Sequence, residues 1–331
     1  MKIIVLGASG FIGAYLVDAL MAAGHEAVPA GRSARAAAHF ASRGLDMIEV
    51  DVANAGTFAN LPVDGIDAVV NLAAVIPAAD KSLSTANFLA VNTLGAWNSM
   101  RFCVTHDVPV HILTTSHFAV EGHWGCWDGE GRRIDEAMGV NFLYTGDHTA
   151  YIVTKVAAEE YARHFAEEFG LRSIVFRLSG VRGFGRYESG FEFFVRRARE
   201  GTDIEVFGDP TRVWDNIYVK DAVKAIMLGL EKTTVNGLYM LSSGLPLTLA
   251  QEVNAIADAF SPPGRRISVT PRPDKPGGIA KSYVYDIGRL KRDAGFEPSF
   301  PLDGRPMLDD YAAEVERGTY RWLKDTKDDN R

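Results

Sequence analysis

The chain opens with a short β-branched apolar run, Lys2 to Leu6, that stops at a glycine. Such a run reads as a strand buried on both faces. The apolar spacing then changes: Ile12, Leu16, Ala19 and Leu20 recur at helical intervals. The same change of period repeats along the first half of the sequence. It predicts strands at about 2–6, 25–30, 46–50, 67–71, 110–114 and 172–177, with helices between them, the clearest at 87–106 and 150–169. Strands alternating with helices predict an α/β fold built on a doubly wound parallel sheet. Past residue 180 the texture changes. Glycine and proline become frequent (GVRGFGR, SPPGRR, PRPDKPGG), and short strands and helices mix irregularly. The pattern divides the chain into a sheet domain over 1–180 and a smaller mixed α/β lobe over 181–331, with about 213–243 returning to the first domain. The polar end, WLKDTKDDNR, is expected to fray.

Between the first strand and the first helix lie Gly7, Gly10 and Gly13. In that setting the three glycines form a dinucleotide-binding fingerprint: a tight turn, a close approach of backbone to pyrophosphate, and close packing of helix on strand. The N–H groups at the helix start would face the phosphates. Ser9, Phe11 and Ile12 complete the set of turn residues expected at the cofactor. The segment superficially resembles a signal peptide, but three glycines and Asp18 interrupt its apolar stretch and no A-x-A site follows. The second strand ends in Gly31-Arg32-Ser33, where a site for NAD usually places an acid against the ribose hydroxyls. Arg32, with Arg35 close by, suits a 2′-phosphate instead, so NADP(H) is favoured and NAD(H) is the alternative.

Composition narrows the field. The 331 residues are 47% hydrophobic and 23% charged, with a net charge of −7. No lysine-rich run is present, which argues against nucleic acid and anionic membrane surfaces as partners. No apolar stretch is long enough to span a bilayer. Two cysteines, Cys103 and Cys126, build neither a disulfide framework nor a metal site, and a reducing cytoplasm fits them. The histidines show no ligand spacing, so no metal is expected.

Tyr151 and Lys155 stand four residues apart at the head of a helical run, TAYIVTKVAAEEYARHFAEEFG. That spacing puts a phenol and an ammonium on one helix face. A nearby cation lowers a phenol's pKa, so that the phenol can exchange a proton with a substrate oxygen. The spacing is weak evidence by itself, since about 0.4 such pairs are expected by chance in a chain of this composition. A second pair, Tyr320 and Lys324, shares the spacing without the context and reads as a solvated face of a C-terminal helix.

Taken in order, these segments and several others make the chain resemble the extended short-chain dehydrogenase/reductases, the NAD-dependent epimerase/dehydratase group, over nearly its whole length. The resemblance rests on GASGFIG, Asp51-Val52 after the third strand, NLAA (Asn71 to Ala74) after the fourth, Asn92 in VNTLGAWN, Ser116 at the end of ILTTS, RIDEA (133–137), YIVTK, and the later segments GDPTRVWDNIYVKDAVKAI and NGLYMLSSGLPLTLAQEV. It implies a Rossmann domain with a substrate lobe, usually dimeric through the helices at 87–106 and 150–169. It implies Tyr151 as general acid/base and Lys155 as the cation that lowers its pKa and bonds the nicotinamide ribose. Ser116 would hold the substrate oxygen, with Thr115 as its rival. Cofactor contacts would come from Asp51, Val52, Leu72, Ala73, Ala74, Asn92 and Leu178 beside the glycine turn, and substrate contacts from Ser116, His117 and Phe118. The segment Arg177-Leu178-Ser179-Gly180-Val181-Arg182-Gly183 departs from the nucleotide-sugar pattern: Gly180 replaces an Asn and Arg182 a Tyr. Trp214 stands where an Arg usually precedes the Asp, here Asp215. A diphosphate-bearing substrate is therefore less favoured. Arg182, Arg186 and Arg212 are candidates to bind another anion through bidentate contacts. The expected activity is hydride transfer at a hydroxyl or carbonyl carbon of a sugar-like or other small molecule. A cofactor-retaining nucleotide-sugar epimerase or dehydratase is the alternative, and a non-catalytic dinucleotide sensor is a reading from another class.

Overall fold

The computed structural model describes all residues except 78–84, 128, 130, 144–146, 188, 278–280, 302–303 and 325–331. Seven parallel strands form the central sheet: β1 (Lys2–Leu6), β2 (Glu26–Gly31), β3 (Ile48–Glu49), β4 (Ala68–Asn71), β5 (Val110–Ser116), β6 (Arg172–Leu178) and, later in the chain, β11 (Gly237–Leu241). Their order is β11-β6-β5-β4-β1-β2-β3. Successive residues of β1 serve opposite cores. Ile3 and Val5 pack with α1 (Phe11–Ala22), α2 (Ala34–Ala41) and α7 (Val219–Glu231), whereas Ile4 and Leu6 pack with α4 (Gly95–Thr105) and α5 (Asp147–Phe169). That two-sided burial is why the strand reads as an unbroken apolar run. A helix α3 (Thr85–Phe88) and a single π-helical stretch over Leu89–Leu94 lead directly into α4. The winding reverses between β1 and β4, and a doubly wound sheet opens its ligand crevice at the carboxyl ends of the strands flanking such a reversal.

The smaller lobe is built from three short strand pairs: β7 (Gly180–Arg182) with β10 (Asn216–Tyr218), β8 (Ile204–Phe207) with β13 (Val269–Arg272), and β9 (Val213–Trp214) with β12 (Leu247–Thr248). Helices α6 (Gly190–Arg199), α8 (Leu249–Phe260), α9 (Gly288–Ala294) and α10 (Arg305–Arg317) complete the set. Helix α7 packs beside α1, and β11 extends the sheet next to β6.

Two expectations change. The third strand is only Ile48–Glu49, because it pairs with nothing beyond Ala30 and Gly31. The Tyr320–Lys324 pair is not a solvated helix face. Tyr320 is buried, its ring stacks on Tyr15 at 3.7 Å, and its hydroxyl donates to Asp18 at 2.8 Å. Trp322 stacks on His39 in the same way, at 4.3 Å. Apolar burial against α1 and α2 outweighs the polar look of the segment. The fraying expected at the end falls largely on 325–331, outside the described residues.

Candidate active site

The phosphate-facing part is backbone. Gly7 sits at φ +80°, and a side chain there would lie 2.7 Å from the Ala73 amide, so the turn after β1 and the turn after β4 meet without room for a Cβ. Gly10 caps α1 with no side chain on the helix's first amides. Such an uncapped N-terminus carries partial positive charge and free donors, so the residues present fit a dinucleotide pyrophosphate. Ser9 faces Gly31, and Ile12 packs partly buried on the core. The ring of Phe11 lies under the Gly183–Gly185 turn of the other lobe. Leu72 and Ala73 are held by main-chain and side-chain bonds: Leu72 N donates to Leu6 O at 2.9 Å, and Ala73 N to Asn71 Oδ1 at 3.1 Å. Ala74 follows them. Val52 packs on Gly95, and its carbonyl accepts from Asn98 at 2.9 Å. Arg32 projects from the end of β2 with its side chain 46% exposed and forms a 3.4 Å ion pair with Asp51.

The reacting groups converge at the carboxyl end of β5. Ser116 is its last residue and is buried beside Leu178 on β6. The Ser116 hydroxyl accepts from Phe118 N at 3.3 Å and lies near enough to the Tyr151 phenol to pull its pKa down. Thr115, its rival, points elsewhere: its hydroxyl donates to Glu159 at 2.6 Å. Tyr151 is buried against Phe88, and burial raises its pKa. The Ser116 hydroxyl and the Arg186 guanidinium oppose that rise. The cation expected to lower the phenol's pKa was Lys155. Arg186 acts in the same sense, and the Lys155 ammonium donates to the Thr114 carbonyl at 3.2 Å. Burial pulls Lys155 down to about 8, with Glu159 resisting. Asn92, expected at the cofactor, is engaged within the protein. Its amide exchanges two 2.9 Å bonds with the Val75 backbone and reaches Thr154 at 3.3 Å. Asn92 thus clamps the loop after β4 to the helix bearing Tyr151, a task suited to the π-helical turn in which it sits.

On the substrate side, His117 is buried among Phe118, Trp124, Tyr283 and Tyr285. Its Nδ1 lies 2.8 Å from the Tyr285 hydroxyl, which also receives the Trp124 indole N–H at 2.9 Å. An indole can only donate, so the Tyr285 proton is best placed on Nδ1, leaving His117 as the Nε2–H tautomer. Burial, aided by Arg186, lowers the His117 pKa to about 3, so the ring is neutral. Phe118 packs between Trp124 and His148. Arg182 does not keep its charge for a substrate. Buried Glu252 pairs with it at 3.0 Å, and the Asn216 amide, seated over Gly180, accepts from it at 3.1 Å. Arg212 lies 5.0 Å over Trp214, is 4% exposed, and has an Nε without a hydrogen-bond partner. Arg186 donates to the Val181 carbonyl at 2.7 Å while facing Tyr151 and His117. Buried Asp215 ties this region together by accepting from Ser242, Ser243, Gly244 and Tyr285. Sequence reasoning passed over Glu159 and Asn216. Glu159 carried a readable signal, one helical turn beyond Lys155, whereas Asn216 meets Gly180 only through strand pairing.

A doubly wound sheet with a glycine turn at its switch point and a Ser–Tyr–Lys set on the next strand and helix defines a dinucleotide-dependent enzyme. Comparison with known proteins sharpens this. The sequence profile of the NAD dependent epimerase/dehydratase family matches residues 3–240, and the chain belongs to that family. Among curated relatives, a dTDP-glucose 4,6-dehydratase of Actinoplanes sp. is 23% identical, covering 90% of this chain and 93% of its own. A 2-alkyl-3-oxoalkanoate reductase of Stenotrophomonas maltophilia is 27% identical over 95% and 88%. Among solved structures, UDP-glucose 4-epimerase from Thermotoga maritima superposes with a TM-score of 0.77 at 23% identity, over 95% of this chain and 99% of that one. The UDP-glucose 4-epimerase of Thermus thermophilus in complex with NAD gives 0.75 at 23% identity, over 94% and 99%. The solved structures share the fold. No helix among the described residues is long and apolar enough to cross a membrane.

Proposed function

We propose that the protein transfers hydride reversibly between a nicotinamide cofactor and a hydroxyl or carbonyl carbon of a small substrate that carries an anionic group. The observation that carries this reading is the burial of Ser116, Tyr151 and Lys155 together at the end of β5 and the start of α5, with Ser116 acting on the phenol. When bound, the cofactor supplies the hydride acceptor or donor. The chain does the rest. Gly7, Gly10 and the start of α1 hold the pyrophosphate. Ser116 holds the reacting oxygen. Tyr151 takes or gives its proton, and Lys155 and Arg186 favour the phenolate. His117 offers a neutral N–H and Arg212 an unneutralised guanidinium to the remainder of the substrate. Arg182, neutralised by Glu252, orients Trp214 instead.

The anionic group is chosen because Arg212 and Arg186 form no ion pair with a carboxylate among the described residues, while the nucleotide-sugar residues are replaced at Gly180, Arg182 and Trp214. The relatives' names fit either choice, a nucleotide sugar or an oxo acid. The second reading is therefore a nucleotide-sugar epimerase or dehydratase that recycles its cofactor. Screening uronates, hydroxy acids, oxo acids and nucleotide sugars by nicotinamide absorbance separates them. Net cofactor conversion with an acid supports the first reading. Product formation without net conversion supports the second, and no turnover with any of them defeats both.

The relatives point to NAD. Arg32, exposed where a ribose-binding acid is missing, supports NADP(H) as a second cofactor reading. On that reading Arg32→Ala weakens NADPH binding about tenfold or more and barely changes NADH, as read by fluorescence titration. Equal effects on both leave NAD as the cofactor. A homodimer through α5 and the π-helical stretch before α4 is supported by exposed Leu94, Val153 and Tyr161; light scattering of Val153→Glu tests it, with a monomer expected. The two free cysteines suit a reducing compartment such as the cytoplasm.

A further inference from the structure

Glu159 and Arg177 form a buried ion pair that binds neither the cofactor turn nor the substrate-facing groups. Arg177 Nε and Nη2 donate to the Glu159 carboxylate at 3.0, 3.1 and 2.6 Å, and both side chains are almost inaccessible, at 4% and 6% exposure. Thr115 adds a third donor at 2.6 Å. The network thus joins α5 to β5 and to β6 one residue before Ser116 and one before Leu178. A buried pair of this kind is a poor source of stability, because desolvating two charges costs about what their attraction returns. Arg177 Nη1 is left without a partner, which adds to that cost. Glu159 lies one helical turn from Lys155, so the two side chains share a helix face.

We infer that the Glu159–Arg177 pair is a positioning device for Lys155: Glu159, anchored by Arg177 and Thr115, holds the neighbouring ammonium charged and seated at the end of β5. Lys155 has few other neighbours able to do this. Its own helix offers Tyr151 and Glu159. From β5 come the Thr114 carbonyl, Thr115, Ser116 and neutral His117; from β6 comes Arg177; Arg186 faces Tyr151 from the other lobe. Among the described residues, Glu159 is the carboxylate that acts on Lys155. Arg177 and Thr115 bond the Glu159 carboxylate and fix it in place, and Arg177 balances part of its charge. The inference rests on the catalytic reading for its purpose but not for its test.

The test is the titration midpoint of Lys155 in cofactor-free protein, read by NMR of isotope-labelled lysine Cε, with the signal assigned by its loss in Lys155→Met. Glu159→Gln leaves Arg177 as the unbalanced charge and is expected to lower the midpoint by about one pH unit or more. Arg177→Gln leaves Glu159 unbalanced and is expected to raise it by a similar amount. A merely structural pair would destabilise both variants alike and move neither midpoint, so unchanged midpoints, or shifts in the same direction, overturn the inference. Where a single variant does not fold, the neutral pair Glu159→Gln/Arg177→Gln replaces it. Removing the carboxylate nearest Lys155 then lowers the midpoint, and an unchanged midpoint overturns the inference. The measurement involves no substrate. Opposite shifts in a protein inactive towards every compound screened would uphold this inference and count against the proposed function alone.

Discussion

Two tyrosine–lysine pairs share the same spacing, one on α5 and one near the C-terminus, and both tyrosines are buried. Tyr151 meets a neutral serine hydroxyl and feels a guanidinium. Tyr320 meets the Asp18 carboxylate and stacks on another phenol. Lys155 is buried, whereas Lys324 is exposed. Neither spacing nor burial separates a proton-transfer pair from a packing pair. The charge facing the phenol does, because a carboxylate opposes phenolate and a cation favours it. Accordingly, burial and Asp18 together raise the Tyr320 pKa, while Ser116 and Arg186 pull against burial at Tyr151.

The largest effect should come from removing each hydroxyl. Tyr151→Phe is expected to lower turnover by about 10²- to 10⁴-fold with cofactor affinity nearly intact. Tyr320→Phe should leave turnover at the wild-type level and cost about 1 kcal/mol in stability, from the lost bond to Asp18. Equal losses of rate would erase the distinction between the pairs.

The lysines come next. Activity should fall as pH rises past about 8, where Lys155 loses its proton. Stability should move the other way. Between about 8 and 10.5 the unfolded chain holds a proton on this lysine that the folded chain has released, so stability rises with pH across that window. Lys155→Met should therefore be inactive yet more stable at neutral pH, by roughly 1–3 kcal/mol. Lys324→Met should change neither. A lower melting temperature in Lys155→Met would show that the ammonium's bonds outweigh its burial.

The smallest contrast lies on β5. Ser116→Ala should reduce turnover about a hundredfold. Thr115→Val, which removes a bond to Glu159 rather than a hydroxyl beside Tyr151, should cost less than about tenfold in rate and about 1 kcal/mol in stability. Comparable rate losses would return the substrate-holding role to Thr115.

The sheet was legible in the sequence because its strands are buried on both faces, so Ile3 to Leu6 and Ile112 carry an apolar signal regardless of their partners. The edge strand at Ile48–Glu49 was overestimated, since a two-residue pairing leaves little pattern. At the site, the turn at Gly7 was legible because a positive φ and a close backbone approach demand that residue type, whereas Tyr151 and Ser116 stood out only through the order of motifs around them. Arg182 was misjudged because its partner Glu252 lies 70 residues away and no local rule announces it. The Tyr285–His117 contact spans 168 residues and fixes a tautomer that no motif encodes. Tyr320 misled for a related reason: a polar, charged segment hid a set of aromatic rings that find their partners only in α1 and α2.

That last segment has a consequence for how the molecule is handled and how it wears. Tyr320 grips Tyr15 and Asp18, and Leu323 sits against Gly185, while the Tyr15 hydroxyl donates to the Phe184 carbonyl at 3.0 Å. The chain's tail therefore fastens the first helix to the turn that bears Arg186. A protease that trims the tail upstream of Tyr320, or a bulky fusion tag that pries it loose, would slacken the reacting end of the cleft while every strand of the sheet stayed intact.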